Sequence, residues 1–335
     1  MTNPRRIIAI TTIHPPSNAV KRFSKLNDWQ LIVVGDRKTP ADWKCDGTIF
    51  LSLQDQERSG LSLGKALPQN HYCRKMKGYL KAMALGAELI ADTDDDNLPK
   101  PRWGFPDFDG SFLVSRSKPR FVNIYRSFTD MHIWPRGFPL DLLSAKESVI
   151  SEDELSEKDL KVGVWQGLAD GDPDVDAVYR LTSNEPCTFN VRREVVLGNG
   201  YVSPFNSQNT MFRRELFPLL YLPGFVTFRF TDILRSLVAQ PIMWSKGYLL
   251  GFSNATVVQE RNPHDYMRDF ESEIPCYLHS KKAVKIVSDA ITPDSSIAEN
   301  LREAYRALLK NNIVVEKEID LLSAWLRDLE GLGIG

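Results

Sequence analysis

The chain has 335 residues, with 42 Lys and Arg against 43 Asp and Glu and a formal charge of −1. A length near ~300 residues is where one core gives way to two, so one large domain with an appendage is expected. Charged residues at 25% and apolar types at 42% exclude global disorder, and the balanced charge withholds the broad attraction that non-specific nucleic-acid binding needs.

Arg6–Thr12 reads as a first buried strand and Ala19–Trp29 as the helix after it. Leu31–Gly35 (LIVVG) is an apolar, β-branched run that ends in Gly35-Asp36, the pattern of a parallel strand running into a turn. Thr48–Leu51 gives a third short strand. Tyr72, Met76, Tyr79, Leu80, Met83, Ala84 and Ala87 recur at helical spacing and predict an amphipathic helix. Glu88–Ala91 then feeds the acidic run Asp92-Thr93-Asp94-Asp95-Asp96-Asn97.

This alternation predicts an α/β fold with a parallel sheet, in which ligands bind beyond the carboxyl ends of the strands. Thr11-Thr12, Asp36 and the acidic run fall at such ends. From about 100 to 265 the pattern is less regular, with strands predicted at Phe121–Tyr125, Gly163–Leu168 and Thr188–Val191. Two apolar stripes follow: Ile297, Leu301, Tyr305, Leu308 and Leu309, then Ile319, Leu322, Trp325, Leu326 and Leu329. Ser295 or Ser296 is placed to cap the first of these helices, with Glu299 in its first turn. The expected division is a body over 1–270 and a helical C-terminal appendage over 271–335.

Cys45, Cys73, Cys187 and Cys276 lie far apart without a CxxC pair, which predicts reduced thiols rather than a disulfide framework or zinc ribbon. The apolar run Ile7–Ile10 is too short for a secretory leader and is soon followed by Pro15-Pro16. No run of about 18 apolar residues exists, so no spanning helix is expected, and the expected location is cytoplasmic.

The acidic run carries the chemistry. Two carboxylates ~4 Å apart repel by roughly 4 kcal/mol at an effective dielectric of ~20, so a crowded set in a cleft requires a compensating cation or raised pKa values. Hard oxygen ligands select Mg²⁺, Mn²⁺ or Ca²⁺ over zinc. An EF-hand loop starting at Asp92 would need Gly and Glu where Asn97 and Trp103 stand, and one starting at Asp170 meets Val175 and Leu181 instead. The remaining reading is a strand-end carboxylate pair that grips a cation bridging a diphosphate. Asp92-x-Asp94 also suits a phosphoryl-transfer fold of the haloacid-dehalogenase kind, although Asp96 stands where that motif has Thr or Val.

Seven ordered stretches are similar to the GT-A glycosyltransferases, most closely the STELLO type and more distantly the reversibly glycosylated polypeptides (UDP-arabinopyranose mutases). They are VVGDRKTP (33–40), RKMKGYLKAMALGAELI running into DTDDDN (74–97), WPRGFPL (134–140), QGLADGDPDVDAVYRL (166–181), PFNSQNTMF (204–212), RFTDILRSLVAQ (229–240) and QERNPHDYMRDFE (259–271). Together they span most of residues 6–271. The membrane anchor of STELLO proteins is not legible in this chain.

The resemblance implies a GT-A fold, a nucleotide-sugar donor (UDP most often), a divalent cation (Mn²⁺ or Mg²⁺) and a glycan or other hydroxyl acceptor. It matches Thr11 and Asp36 to nucleoside contacts, and Arg74 and Lys75 to a basic pair suited to the diphosphate. Asp94 and Asp96 match the metal-binding Asp-x-Asp, with Asp95 between them facing the donor; a register starting at Asp92 stays open. His264 matches a third metal ligand.

Asp232 opens a helix. It is either a first-turn carboxylate stabilised by the helix dipole or the general base of an inverting transfer. Asp170 and Asp172 match groups that orient the donor sugar, with Asp174 and Asp176 read as structural. Arg136 aligns with the arginine glycosylated in the polypeptide family and is read as a phosphate or sugar contact. Trp134, Trp165, Phe205 and Phe212 are core by default or a sugar-stacking floor. Two other functions stay open: a nucleotide-sugar mutase or self-glycosylating protein, and a non-catalytic nucleotide-sugar-binding regulator. A homo-oligomeric state is also left open.

Overall fold

A computed structural model describes residues 5–116, 118–260 and 264–334. Among these residues ten strands form one sheet in the order β3-β2-β1-β4-β9-β7-β6-β8-β10-β5. The N-terminal block is parallel throughout: β1 (Arg6–Thr12) lies between β2 (Trp29–Gly35) and β4 (Leu89–Thr93), with β3 (Thr48–Leu51) outside β2. In β1, Ile7 and Ala9 pack into one core and Ile8 and Ile10 into another, so both faces of the strand are covered. That explains its near-continuous apolar sequence.

The sheet continues through five further strands and a short edge strand, β5 (Asn97–Pro99), which pairs antiparallel with β10 (Leu249–Gln259). β9 (Asn209–Arg213) runs antiparallel to both β4 and β7 (Leu155–Gly171) and joins the parallel block to the rest. β7 has two parts. Its charged first half forms a hairpin ladder with β6 (Asp109–Ser115), and its buried second half pairs with β9 and with β10. β8 (Val195–Leu197) bridges β6 and β10.

Short helices α1 (Asn18–Phe23), α2 (Leu53–Arg58) and α3 (Leu63–Ala66) connect the first strands, and α4 (Lys75–Ala84) precedes β4. Gly78 lets α4 approach the sheet closely: a Cβ there would lie 2.9 Å from Val34 Cγ2 and 3.4 Å from Ala9 Cβ. α5 (Ala177–Thr182) follows β7, and α6 (Thr231–Ser245) precedes β10.

α7 (Tyr266–Ala290), α8 (Ile297–Lys310) and α9 (Glu316–Gly331) complete the chain. The 270/271 division falls inside α7, and the terminal helices share the core of the body. Trp325 is fully buried and donates from Nε1 to Pro218 O at 3.0 Å. The buried Glu318 carboxylate accepts from Gly224 N (3.1 Å), Phe225 N (2.8 Å) and the Tyr221 hydroxyl. Asp328 accepts from Ser62 N (2.7 Å) and Leu63 N (2.8 Å) at the start of α3. The last helix therefore caps one of the first.

Several predicted elements differ from the observed ones. The helix expected over 19–29 ends at Phe23, and β2 already begins at Trp29. Phe121–Tyr125 contributes one bridge, Phe121 to Val202, and then a 3-10 turn over Ile124–Ser127. Thr188–Val191 is not a strand; Asn190 N instead donates to Phe128 O at 2.8 Å, loop against loop. Ser296 is the N-cap of α8, in a reciprocal capping box with Glu299.

Candidate active site: a cleft over the strand ends

A cleft of about 440 Å³ opens over the carboxyl ends of β1, β2 and β4. Thr11, Thr12, Asp36, Asp94, Asp95 and Asp96 all line it, so the three features read at strand ends meet in space. The loops holding them are cross-tied. Thr12 Oγ1 donates to Asp95 Oδ2 at 2.5 Å, and Ser17 caps α1 while donating to Asp95 O. Thr39 Oγ1 donates to Thr12 O and receives Asp36 N, each at 2.7 Å. Asp36 accepts Arg37 N at 2.7 Å and His71 N at 3.0 Å.

The geometry separates Asp92 from the rest of the acidic run. Asp92 is fully buried between Lys75 Nζ and Arg235 Nη1, each 2.8 Å away, and does not reach the cleft. Asp94 bonds Lys75 at 2.7 Å, and Asp96 accepts from Gln259 at 3.2 Å. The outward-facing carboxylates are thus Asp94, Asp95 and Asp96.

Burial pushes the Asp94 carboxyl up; Lys75 opposes this and Asp96 adds to it, leaving the pKa at about 7. Its side chain is 38% exposed at the cleft wall, so solvent moderates the effect. Burial pushes the Lys75 ammonium down, but Asp92 and Asp94 more than offset this and hold it protonated.

The structure corrects the roles expected for the basic residues. Lys75 is fully buried as the internal counter-ion of Asp92 and Asp94. Arg74 is buried against Gln56 Oε1 (2.5 Å) and Pro68 O (3.4 Å), with Asp36 at 3.9 Å. Neither lines the cleft, so neither is available to a diphosphate there. The exposed Lys38, one residue beyond Arg37, does line it.

Arg136 and Asp232 both line the cleft, locked to each other. Arg136 donates to Asp174 through Nε (2.9 Å) and Nη2 (2.7 Å), to Asp232 through Nη1 (3.1 Å) and Nη2 (3.0 Å), and also to Arg229 O. All five guanidinium N–H groups are committed, leaving none for a phosphate or sugar.

Asp232 additionally accepts from the Tyr72 hydroxyl (3.1 Å), Ser207 N (3.1 Å) and Ile233 N (3.1 Å). Burial raises its pKa, but Arg136 outweighs this and brings it to about 2. A carboxylate so saturated is a poor proton acceptor, which turns the expected general base into an anchor for Arg136 and Tyr72.

The second acidic stretch is also reassigned. Asp170 pairs with Lys100 and accepts Phe189 N at 2.9 Å, and Asp172 pairs with Arg180; neither lines the cleft. Asp174, read as structural, does line it, through its bond to Arg136. Asp176 caps α5 and accepts from Trp134 Nε1 at 2.7 Å. Trp134, Trp165, Phe205 and Phe212 are core residues. His264 lines the cleft mouth, with Nδ1 3.0 Å from Asp269. Among the described residues no three His, Cys, Asp or Glu side chains converge on a common point for an ion.

One cleft feature was missed in the sequence. His71, Tyr72 and Phe228 form an aromatic cluster on the wall: His71 stacks on Tyr72 (5.4 Å between centroids), and Phe228 meets Tyr72 edge-on at 4.8 Å. Phe228 is 50% exposed. Burial lowers the His71 pKa to about 4, with Asp36 opposing. His71 Nδ1 accepts Cys73 N at 3.1 Å, so the neutral ring carries its proton on Nε2, which is buried without a partner among the described residues. The helical spacing that put Tyr72 on a core face concealed its polar end.

The fold is of the α/β class, a parallel strand block with an acidic loop at its crest. The family model described as STELLO glycosyltransferases matches residues 229–335. The chain is 27% identical to "Probable glycosyltransferase STELLO1" and 28% identical to "Probable glycosyltransferase STELLO2", both of Arabidopsis thaliana. Each match takes in 97% of this chain, and 44% and 45% of the two relatives respectively. The chain is similar to these STELLO proteins and spans under half of their length.

Among solved structures, M. tuberculosis glucosyl-3-phosphoglycerate synthase matches at 10% identity and a TM-score of 0.40, over 83% of this chain and 81% of that one. A mycobacterial protein matches at 10% identity and 0.42, over 84% and 75%. No described helix is long and apolar enough to cross a membrane.

Proposed function

We propose that this chain transfers a sugar from a nucleotide-diphosphate donor, UDP-linked in the simplest case, to a hydroxyl acceptor in the cleft over β1, β2 and β4. The observation that carries the reading is the outward-facing trio Asp94, Asp95 and Asp96, with the Asp94 carboxyl pushed to about 7 by burial and by Asp96 against the pull of Lys75. A Mn²⁺ or Mg²⁺ ion held by Asp94 and Asp96 would supply positive charge at the trio and let a diphosphate approach. Such ions commonly take one or two carboxylates and complete their shell with substrate phosphates and water. That mode requires no third protein ligand, and His264 lines the same cleft with Nδ1 turned to Asp269.

The chain's own groups do the rest. Asp95 is fixed by Thr12 and Ser17 and holds the acidic loop against β1. Asp36 and Thr11 offer polar contacts for a nucleoside at the β1–β2 end, and Lys38 is the exposed cation for the phosphates. Phe228 and His71 give the acceptor side an aromatic wall. Arg136, with no donor free, is not a site of self-glycosylation.

A UDP-sugar with Mn²⁺ is expected to raise the melting temperature by mass action, and Asp94→Asn or Asp96→Asn to abolish both that shift and sugar release. Folded variants that keep wild-type release would overturn the proposal. The saturation of Asp232 favours one second reading, a nucleotide-sugar-binding protein without turnover: the thermal shift would persist while no donor was consumed with any acceptor.

A further inference from the structure

A second cleft, of about 640 Å³, lies at the opposite ends of the same strands. Arg6, Trp29 and Leu89, which begin β1, β2 and β4 in register, form part of its wall. β1 has seven residues, so at ~3.3 Å per residue this cleft is about 20 Å from the acidic crest. The volume is in the range of small-molecule sites.

The lining combines two kinds of group. Trp29 packs edge-on to Trp103 (4.8 Å between centroids), and Trp103 to Phe105 (5.5 Å). Trp103 is fixed by its Nε1 bond to Asn209 (3.1 Å), while Trp29 and Phe105 keep part of their faces open. Around them stand unspent hydrogen-bonding groups. The Arg6 guanidinium lies over the Trp29 ring at 5.9 Å, with its Nε buried and without a partner among the described residues. Asp28, Glu88 and Asp107 are exposed and enter no ion pair among the described residues.

We infer that this cleft binds a neutral saccharide. Five acidic against three basic side chains line it, which disfavours an anionic ligand. A purely apolar occupant would strip water from Arg6 and the carboxylates without replacing their hydrogen bonds. A sugar ring satisfies both demands: its C–H face packs on the aromatic rings, and its hydroxyls donate to carboxylates and accept from Arg6. The inference is independent of the reaction proposed above, since it concerns the other end of the sheet.

The test is tryptophan-fluorescence and calorimetric titration of the whole chain with cellotetraose, maltotetraose, mannotetraose and xylotetraose, repeated with UDP and Mn²⁺ present. At least one probe is expected to bind. Arg6→Gln and Asp107→Asn should weaken it about tenfold, a loss of ~1.4 kcal/mol. Asp94→Asn, or UDP with Mn²⁺, should leave it unchanged. Asp107 is exposed, so its variant tests the site without challenging the fold. The inference fails if no probe binds at about 10 mM, ~2.7 kcal/mol of affinity, or if both cleft variants bind as the wild type does. It also fails if Asp94→Asn or UDP with Mn²⁺ removes binding, because the saccharide then occupies the first cleft.

Discussion

Lys75→Met removes one positive charge from a site where two carboxylates depend on it. Lys75 Nζ sits 2.8 Å from Asp92 and 2.7 Å from Asp94, and its side chain is wholly buried. Removing one member of a buried ion pair costs roughly 3–5 kcal/mol, because the partner's charge stays behind. The loss is not doubled here. Asp92 keeps Arg235, and Asp94, with its pKa already at about 7, escapes by taking a proton. At ~2.1 cal/mol/K of unfolding entropy per residue, a chain of this length loses about 4–7 °C in melting temperature for that penalty. Differential scanning calorimetry at pH 7.5 measures it. Adding Asp94→Asn should recover about 1 kcal/mol or more, because the second change removes a charge the first had stranded. A melting temperature within about 1 °C of wild type, or strict additivity of the two changes, would show that Lys75 is not the counter-ion of the acidic loop.

Stability should fall with acid through His71. The folded state holds its pKa at about 4 against 6.5 when free, so between those values the unfolded chain takes up a proton the folded one refuses. The loss grows from pH 6.5 downward and levels off below pH 4 at about 3 kcal/mol or less; urea midpoints of His71→Gln should have a shallower pH slope than wild type. Gly137→Ala is expected to destabilise by about 2–3 kcal/mol. Its φ is +85°, and the new Cβ would lie 2.4 Å from Ile233 Cγ2, beside Arg136; chemical denaturation measures the cost. Trp325→Ala should cost about 3–5 kcal/mol by the same method, because a fully buried indole and its bond to Pro218 are lost together. An effect below about 1 kcal/mol would mean that the terminal helices do not share the body's core.

The parts of the fold legible in sequence are those whose pattern comes from local burial. β1 and β2 are apolar on both faces because both faces are covered, and α4 has a continuous buried stripe. Ser296 and Glu299 cap α8 through a three-residue interaction that sequence spacing alone defines. Elements set by distant partners were not legible. The first half of β7 is charged and exposed, and is a strand because β6 pairs with it over seven positions. β9 begins with Asn209-Thr210, polar residues that read as loop, yet it fills the slot between β4 and β7. Phe121–Tyr125 has the composition of a strand, but its apolar side chains enter the core from a bridge and a turn.

The same division runs through the site. Strand-end position identifies the acidic run as outward-facing chemistry, because it follows from topology and not from side-chain partners. Sequence does not tell which charges are already neutralised inside the protein. Arg136 looks like a ligand-binding arginine until Asp174 and Asp232, 38 and 96 residues away, take its donors. Arg74 and Lys75 stand next to each other in the chain and serve separate buried carboxylates, Asp36 and the Asp92–Asp94 pair. These long-range pairings have a common effect. They consume most of the cations nearest the crest, so that Asp94, Asp95 and Asp96 share the cleft with the buried Lys75 behind them and the exposed Lys38. In the proposed reaction such a cleft would admit a diphosphate together with a divalent ion, and the placement of the arginines and lysines would set that dependence on metal.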